Sequence, residues 1–433
     1  MDHLPRAALA ALSAPGGARR HLLRNLTALL GVGGVFTFLA PAESEARRPG
    51  APQAEGKRKK QRKKCKRKRI AKICANTCGT VKSRKTCRKR VNCGACRRAG
   101  ERCCRGDCVP AAWVNQMTFG SDVSASDQFG IPVDVTLSTD GLTALVADAL
   151  KHRIAVWRRT SPSLADWSPQ ETFGSEGSAA NQFDFPTGVI LTGDDLTALV
   201  ADGNNNRVSV WRRSSPGTAD WAPQIAFGSE GSASDQFDFP SGVAVTADGR
   251  TALVTDGNNQ RVSVWRRSSA SAVDWSPQIT FGSEGSASDQ FDLPAGLSVT
   301  ADGLTALVAD RNNNRISVWR RSSPNGVDWS PQTTFGSKGS ARDQLTFAHD
   351  VTLMADDLTA LVGDTDNDRV AVWTRPDVSS AAWSPQAIFG SKGSGLTQFQ
   401  GAAGVAVTAD GLTVLVADRA NDRISVWGGA CPA

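Results

Sequence analysis

The sequence predicts an all-β protein, a six-bladed β-propeller, and three observations predict it. From Trp113 onward the chain repeats every 54 residues without a slip, through six copies. All 12 tryptophans fall on two series of that repeat, one from Trp113 to Trp383 and one from Trp157 to Trp427. Within each copy, four short apolar runs alternate with turn residues, and nothing has a helical period. Six copies of one supersecondary unit stack against one another, and four antiparallel strands per unit make a propeller blade.

The copy around residue 250 shows the elements in order. Gly242 to Thr246 is an alternating apolar run and forms the first strand, followed by the hairpin turn Asp248-Gly249. Thr251 to Val254 is the second strand. Asp256-Gly257-Asn258-Asn259 turns the chain with residues that tolerate left-handed backbone. Arg261 to Trp265 is the third strand, and after a ten-residue step Gln278 to Phe281 is the fourth. The two tryptophans flanking that step are expected to meet as cross-strand neighbours, with Arg212 and Arg213 beside them in the second copy. An Asp series (Asp148, Asp202, Asp256, Asp310, Asp364, Asp418) is followed five residues later by an Arg series, Arg153 to Arg423. Sixfold repetition marks these as structural: Asp caps backbone N–H groups and Arg is its partner.

Phe281-Gly282, Gly285, Gln290-Phe291, Pro294-x-Gly296-Leu297, Val308-Ala309-Asp310 and Asn313-x-Arg315-Ile316-Ser317-Val318-Trp319 together resemble the NHL repeat. All six copies fit it, from residue 113 to about 428. The departures are the Trp that ends the third strand and the long step to the fourth. The frame also implies how the ring closes. The chain enters at a fourth-strand position and leaves after a third strand, so Gln116 to Phe119 completes the last blade beside Arg423 to Trp427. Cys108 and Cys431 flank that junction and are expected to form a disulfide clasp, with Cys103 or Cys104 as substitute partners. Closing so long a loop is worth roughly 5 kcal/mol in the chain-entropy account.

Ahead of the propeller the chain changes character. Residues 1–112 hold 28 Lys and Arg against 6 Asp and Glu, a net +22, whereas residues 113–433 carry a net −14. Arg19-Arg20 and the uncharged run Leu26 to Ala40, followed by small residues up to Ala46, read as an export signal over residues 1–46. The paired arginines with Leu22-Leu23 resemble a bacterial twin-arginine signal, although Ala18 stands where Ser or Thr is usual. Residues 47–72 form a basic linker with 12 Lys and Arg in Lys57 to Lys72, too charged to bury a core. Residues 73–112 are a Cys-rich module that resembles small modules of secreted bacterial proteins. Its lack of apolar bulk and of His favours disulfides over zinc. Export places the chain in the cell envelope or outside the cell. There the basic arm would meet envelope polyanions, membrane headgroups or cell wall rather than a specific nucleic acid.

Departures from the repeat are the candidates for a site. Four copies begin the innermost strand with Gly188, Gly242, Gly296 and Gly404, but two have Asp134 and Asp350, the latter preceded by His349. His152 replaces the Asn, Gln or Asp of the other copies at its turn. These four residues are candidates at the channel mouth, where propeller lyases and lactonases use a divalent metal. On the same loops Glu176, Glu230 and Glu284 give way to Lys338 and Lys392, an acidic and a basic arc. Only four His occur in the chain, which leaves few ligands for a multi-His zinc site. The sequence reading is therefore a monomeric, non-catalytic interaction platform for a protein or polyanion, without cofactor or metal. The alternative is a metal-dependent lyase or lactonase-type hydrolase at the channel mouth.

Overall fold

The computed structural model describes residues 80–82, 90–92, 101–104, 107–110, 112–121, 127–162 and 164–430. Six four-stranded antiparallel sheets form the blades of a propeller. The innermost strands are Pro132–Leu137, Pro186–Leu191, Pro240–Val245, Pro294–Val299, Ala348–Leu353 and Ala402–Val407, numbered here as blades one to six. In blade three the other strands are Thr251–Asp256, Arg261–Arg266 and Ser276–Phe281, each within two residues of its expected bounds. The outer strand of blade six is Ala112–Phe119, paired with Arg423–Ala430 in the register Trp427 with Asn115 and Ile424 with Phe119. Ring closure by the strand entering at Trp113 is thus as the sequence predicts. Before it lie two short ladders, Thr80–Lys82 with Arg90–Asn92 and Glu101–Cys104 with Asp107–Pro110. No helix among the described residues is long and apolar enough to cross a membrane.

The second strand of a blade, Thr-Ala-Leu-Val-Ala-Asp or a close variant, is buried along its whole length in every blade but the fifth. A strand central in its sheet, with a blade on each side, has no solvent face and reads as a continuous apolar run. The outer strand has one free edge and alternates, with only its terminal Phe reliably buried. Each apolar cluster therefore joins two blades. Leu199, Val208 and Phe227 of blade two pack on Val243, Val254 and Trp265 of blade three. The ring closes the same way, with Ile424 and Val426 of blade six against Val135 and Trp157 of blade one.

The tryptophan pairs differ from expectation. A bulge in the ladder sets Trp211 opposite Pro223, so the two tryptophans of a blade are not cross-strand partners. Instead they close on a phenylalanine of the preceding blade: Phe173 lies 4.8 Å from Trp211 and 5.3 Å from Trp221. Of the two expected arginines, Arg213 stacks on Trp221, with its guanidinium 4.9 Å from the ring centre.

The Asp and Arg series form a bracket in every blade. Asp256 accepts the Asp238 N–H at 2.7 Å, the Asn259 amide at 2.9 Å and the Arg261 Nε at 2.8 Å. Arg261 spends its remaining donors on the Ser232, Ala233 and Gln236 carbonyls, pinning the loop that leads to the innermost strand. Burial pushes the Asp256 carboxyl above its ordinary range in spite of the arginine. The bracket thus holds through satisfied hydrogen bonds rather than through net charge attraction. Replacing Asp256 by Ala strands a guanidinium and a backbone N–H. Denaturant unfolding is expected to show a loss of about 3–5 kcal/mol, against almost none for a change at exposed Gln278.

Candidate functional site

The six innermost strands line the axis, and they touch one another at one level. A Cβ on Gly188 would lie 2.7 Å from the Ser241 carbonyl, and one on Gly404 would lie 2.5 Å from the Asp134 Cα. At Gly188 and Gly404 the approach of the next blade leaves no room for a Cβ. Asp134 and Asp350 occupy the same level in blades one and five and use their carboxylates to bridge forward. Asp134 accepts the Val135 N–H and, from blade two, the Val189 N–H, both at 2.8 Å. Asp350 accepts the Val405 N–H of blade six at 2.9 Å. Gly404 stands between them in the ring, so two carboxylates flank one innermost strand.

Their environment sets their charge. Burial pushes the Asp350 carboxyl up to about 6. Burial, with the Asp350 charge added, pushes Asp134 well above the carboxylate range. Both carboxyls thus sit above the ordinary range, and the Asp350 charge adds to the rise at Asp134.

His349 precedes Asp350, and burial followed by the charges of Arg311 and Arg419 holds it neutral, well below its ordinary value. These arginines directly follow the Asp series in blades four and six, where blades one to three have Ala149, Gly203 and Gly257. Neither arginine was among the candidates read as departures from the repeat. The comparison across copies that exposed Asp134 would have found them one residue after the Asp series.

His152 sits apart from this group. It ends a turn at φ 51°, and its Nδ1 accepts the Phe185 N–H at 3.1 Å, with Asp184 Oδ1 3.4 Å away. Asn206, Gln260, Asn314 and Asp368 make the same bond to the next blade. His152 is thus a blade-to-blade latch. Of the five residues whose N–H groups are latched, Phe185, Phe239, Leu293 and Phe347 have φ between 55° and 59°, and the fifth is Gly401 at 80°. The first four form an apolar collar, with the Phe185 and Phe239 rings 6.3 Å apart. Cys431 lies outside the described residues and Cys108 is described only as a strand position, so the clasp stays an expectation, as do the signal and the basic arm.

A divalent metal does not fit the residues present. Among the described residues no three His, Cys, Asp or Glu side chains are grouped to hold one. The Asp134 oxygens already serve backbone N–H groups, and His349 faces two guanidinium ions, which repel a cation. A shallow hollow beside Arg250, Arg266 and Asp274 lies on the other face, away from these groups.

The NHL repeat model matches residues 237–265, so the chain contains an NHL repeat within a six-bladed propeller. No curated protein matches the chain. Solved structures that resemble it include a protein of unknown function from Desulfotomaculum acetoxidans, at 15% identity and TM-score 0.49, covering 71% of this chain and 86% of that one. A 6-phosphogluconolactonase candidate from Bacteroides uniformis is 14% identical with TM-score 0.49, covering 75% and 84%. The periplasmic gluconolactonase of Pseudomonas aeruginosa is 18% identical with TM-score 0.45, covering 69% and 81%. These likenesses concern the fold alone. Two of these three structures are named for lactonase activity, which runs against the expectation of a non-enzyme, and that expectation is withdrawn.

The glycine level yields a test. Gly404→Ala is expected to lose roughly 1–3 kcal/mol in denaturant unfolding. Gly193→Ala, where a Cβ would find its nearest neighbour at 3.7 Å, is expected to be neutral or slightly stabilising.

Proposed function

We propose that this protein is a hydrolase of small lactones or esters, with Asp350 as general base and Asp134 as general acid at the channel mouth. The observation that supports it best is the pair itself: two carboxylates flanking Gly404, with Asp350 pushed up to about 6 and Asp134 pushed well above the carboxylate range. Such divergent environments are how one site supplies both an acid and a base. Asp350 takes a proton from a water molecule, whose oxygen attacks the carbonyl carbon. The acyl C–O bond breaks, and the leaving oxygen takes the Asp134 proton. Water is consumed, and a hydroxy acid, or an acid and an alcohol, is formed. Proton release from Asp350 to Asp134 then restores the pair. The choice of lactone chemistry follows the names of the two similar propellers and is tested directly. The export signal, the basic arm as a tether to envelope polyanions, and the Cys108–Cys431 clasp belong to the same proposal.

With D-glucono-δ-lactone as probe, the full chain is expected to exceed the buffer blank. Asp350→Asn and Asp134→Asn should each lose about a hundredfold in kcat while their tryptophan fluorescence stays native. Because Asp350 must be ionised to act, kcat should fall as pH drops through about 6. Activity is expected to survive EDTA, since the donor set does not suit a metal. A rate equal to the blank, or carboxamide variants as active as the parent, would overturn the proposal.

A further inference from the structure

We infer that one half of the channel mouth is an oxyanion subsite, in which Arg311, Arg419 and His349 receive the carboxylate or phosphate group of a small molecule. The body of that molecule lies against the apolar collar on the other half, at Phe185, Phe239 and Leu293.

The geometry starts from the repeat. A side chain at the position after the Asp series projects toward the next blade: a Cβ on Gly203 would meet Phe239 and Thr187 at 3.1 Å. In blade four that position is Arg311, and its guanidinium lies 4.4 Å over the Phe347 ring. In blade six it is Arg419. The two arginines and His349 of the blade between them are electrostatic neighbours. Burial, reinforced by Arg419, brings Arg311 down to about 10, and burial lowers Arg419 as well.

Neither guanidinium has a hydrogen-bond or ion-pair partner among the described residues, and the Nε of Arg311 is shut off from water with none. Asp366 is the nearby counter-charge, and it makes no ion pair with either arginine. Each Arg carries five donors in a planar fork. The bracket arginines of all six blades spend theirs on Asp and loop carbonyls, so unspent forks at this position stand out within the same molecule. Two like charges held together with unspent donors cost stability, and a bound oxyanion offsets both the repulsion and the missing hydrogen bonds.

The surface around the mouth points the same way. Exposed Lys338 and Lys392 sit on the loops entering blades five and six, on the side of the arginines. Glu176, Glu230 and Glu284 sit on the loops entering blades two to four. An anion approaching this face is steered toward the arginine side. Across the axis, Phe185, Phe239 and Leu293 of the collar are held in place by the blade-to-blade latches and present apolar side chains rather than donors. The mouth is therefore two-faced, and a ligand with an anionic head and a less polar body matches it.

This inference stands whether or not the protein is a hydrolase. The test is calorimetric titration of the full chain with inorganic phosphate, phenyl phosphate and phenylacetate, near neutral pH and at constant ionic strength. One saturable site is expected, with phenyl phosphate or phenylacetate tighter than inorganic phosphate. Tight phenyl phosphate with weak phenylacetate assigns a phosphate head, and the reverse assigns a carboxylate. Arg311→Gln and Arg419→Gln should each weaken binding about tenfold or more, whereas Lys392→Gln should change it less than about twofold. Phe239→Ala should remove the preference for the phenyl ligands. Without ligand, Arg311→Gln should melt no lower than the parent, because it removes one of two repelling charges. A fall in melting temperature would mean a structural arginine and would overturn the inference. So would the absence of saturable binding by all three probes, or an equal loss in Lys392→Gln. Asp350→Asn, which tests hydrolysis, is expected to bind these anions as the parent does, so the two proposals can fail separately.

Discussion

The apolar clusters of this propeller lie between blades, and that constraint organises the rest. A single blade has two apolar faces and no core of its own, so it is stable only when sandwiched. Leu199 of blade two is buried because blade three covers it, and Leu253 of blade three because blade four does. Such a chain cannot stop at an open end without exposing a face of its first or last sheet. The strand Ala112–Phe119 removes those ends by joining the last three strands of the chain to the segment that precedes the first blade.

Three devices hold the blades in register, two of them repeated in all six blades and the third at five junctions. Phe173 and its equivalents insert between the two tryptophans of the following blade. The Asp–Arg bracket ties each loop to its own blade. The turn residue in the left-handed region, His152 in blade one and Asn206 in blade two, carries a side chain that accepts an N–H from the next blade. Because the devices are identical in kind, they specify angle and spacing and leave the axis lined by whatever one position of each copy supplies.

Function then resides where the copies differ. Asp134 and Asp350 replace glycine at the level of closest approach, and Arg311 and Arg419 replace small residues one residue after the bracket aspartate. Both pairs flank one blade, six for the carboxylates and five for the arginines. Each pair consists of like ionisable groups, and burial disfavours the charged form of each. Such arrangements work against stability, and the sixfold bracket and the aromatic insertions supply the rigidity that holds them in place.

Much of this was legible in the chain. The period, the strand order within a copy, the six-blade count and the closure at Trp113 follow from spacing, because a repeat of four short strands has few ways to bury itself. The structural role of the Asp and Arg series was legible too, from sixfold repetition. Asp134, His349 and Asp350 were visible as departures, whereas the role of His152 was not: its departure preserves the same hydrogen bond to Phe185, which only the neighbouring blade reveals. The tryptophans were misplaced because the fourth strand starts at Ala222 and sets Pro223 opposite Trp211, which leaves Trp221 ahead of the ladder to close on Phe173 of the preceding blade. Arg311 and Arg419 are 108 residues apart in the sequence, and the closed ring makes them neighbours across His349. The sequence determined which residues break the repeat. Only the tertiary structure decided which of those breaks meet, because a propeller turns a difference in blade number into an angle about one axis.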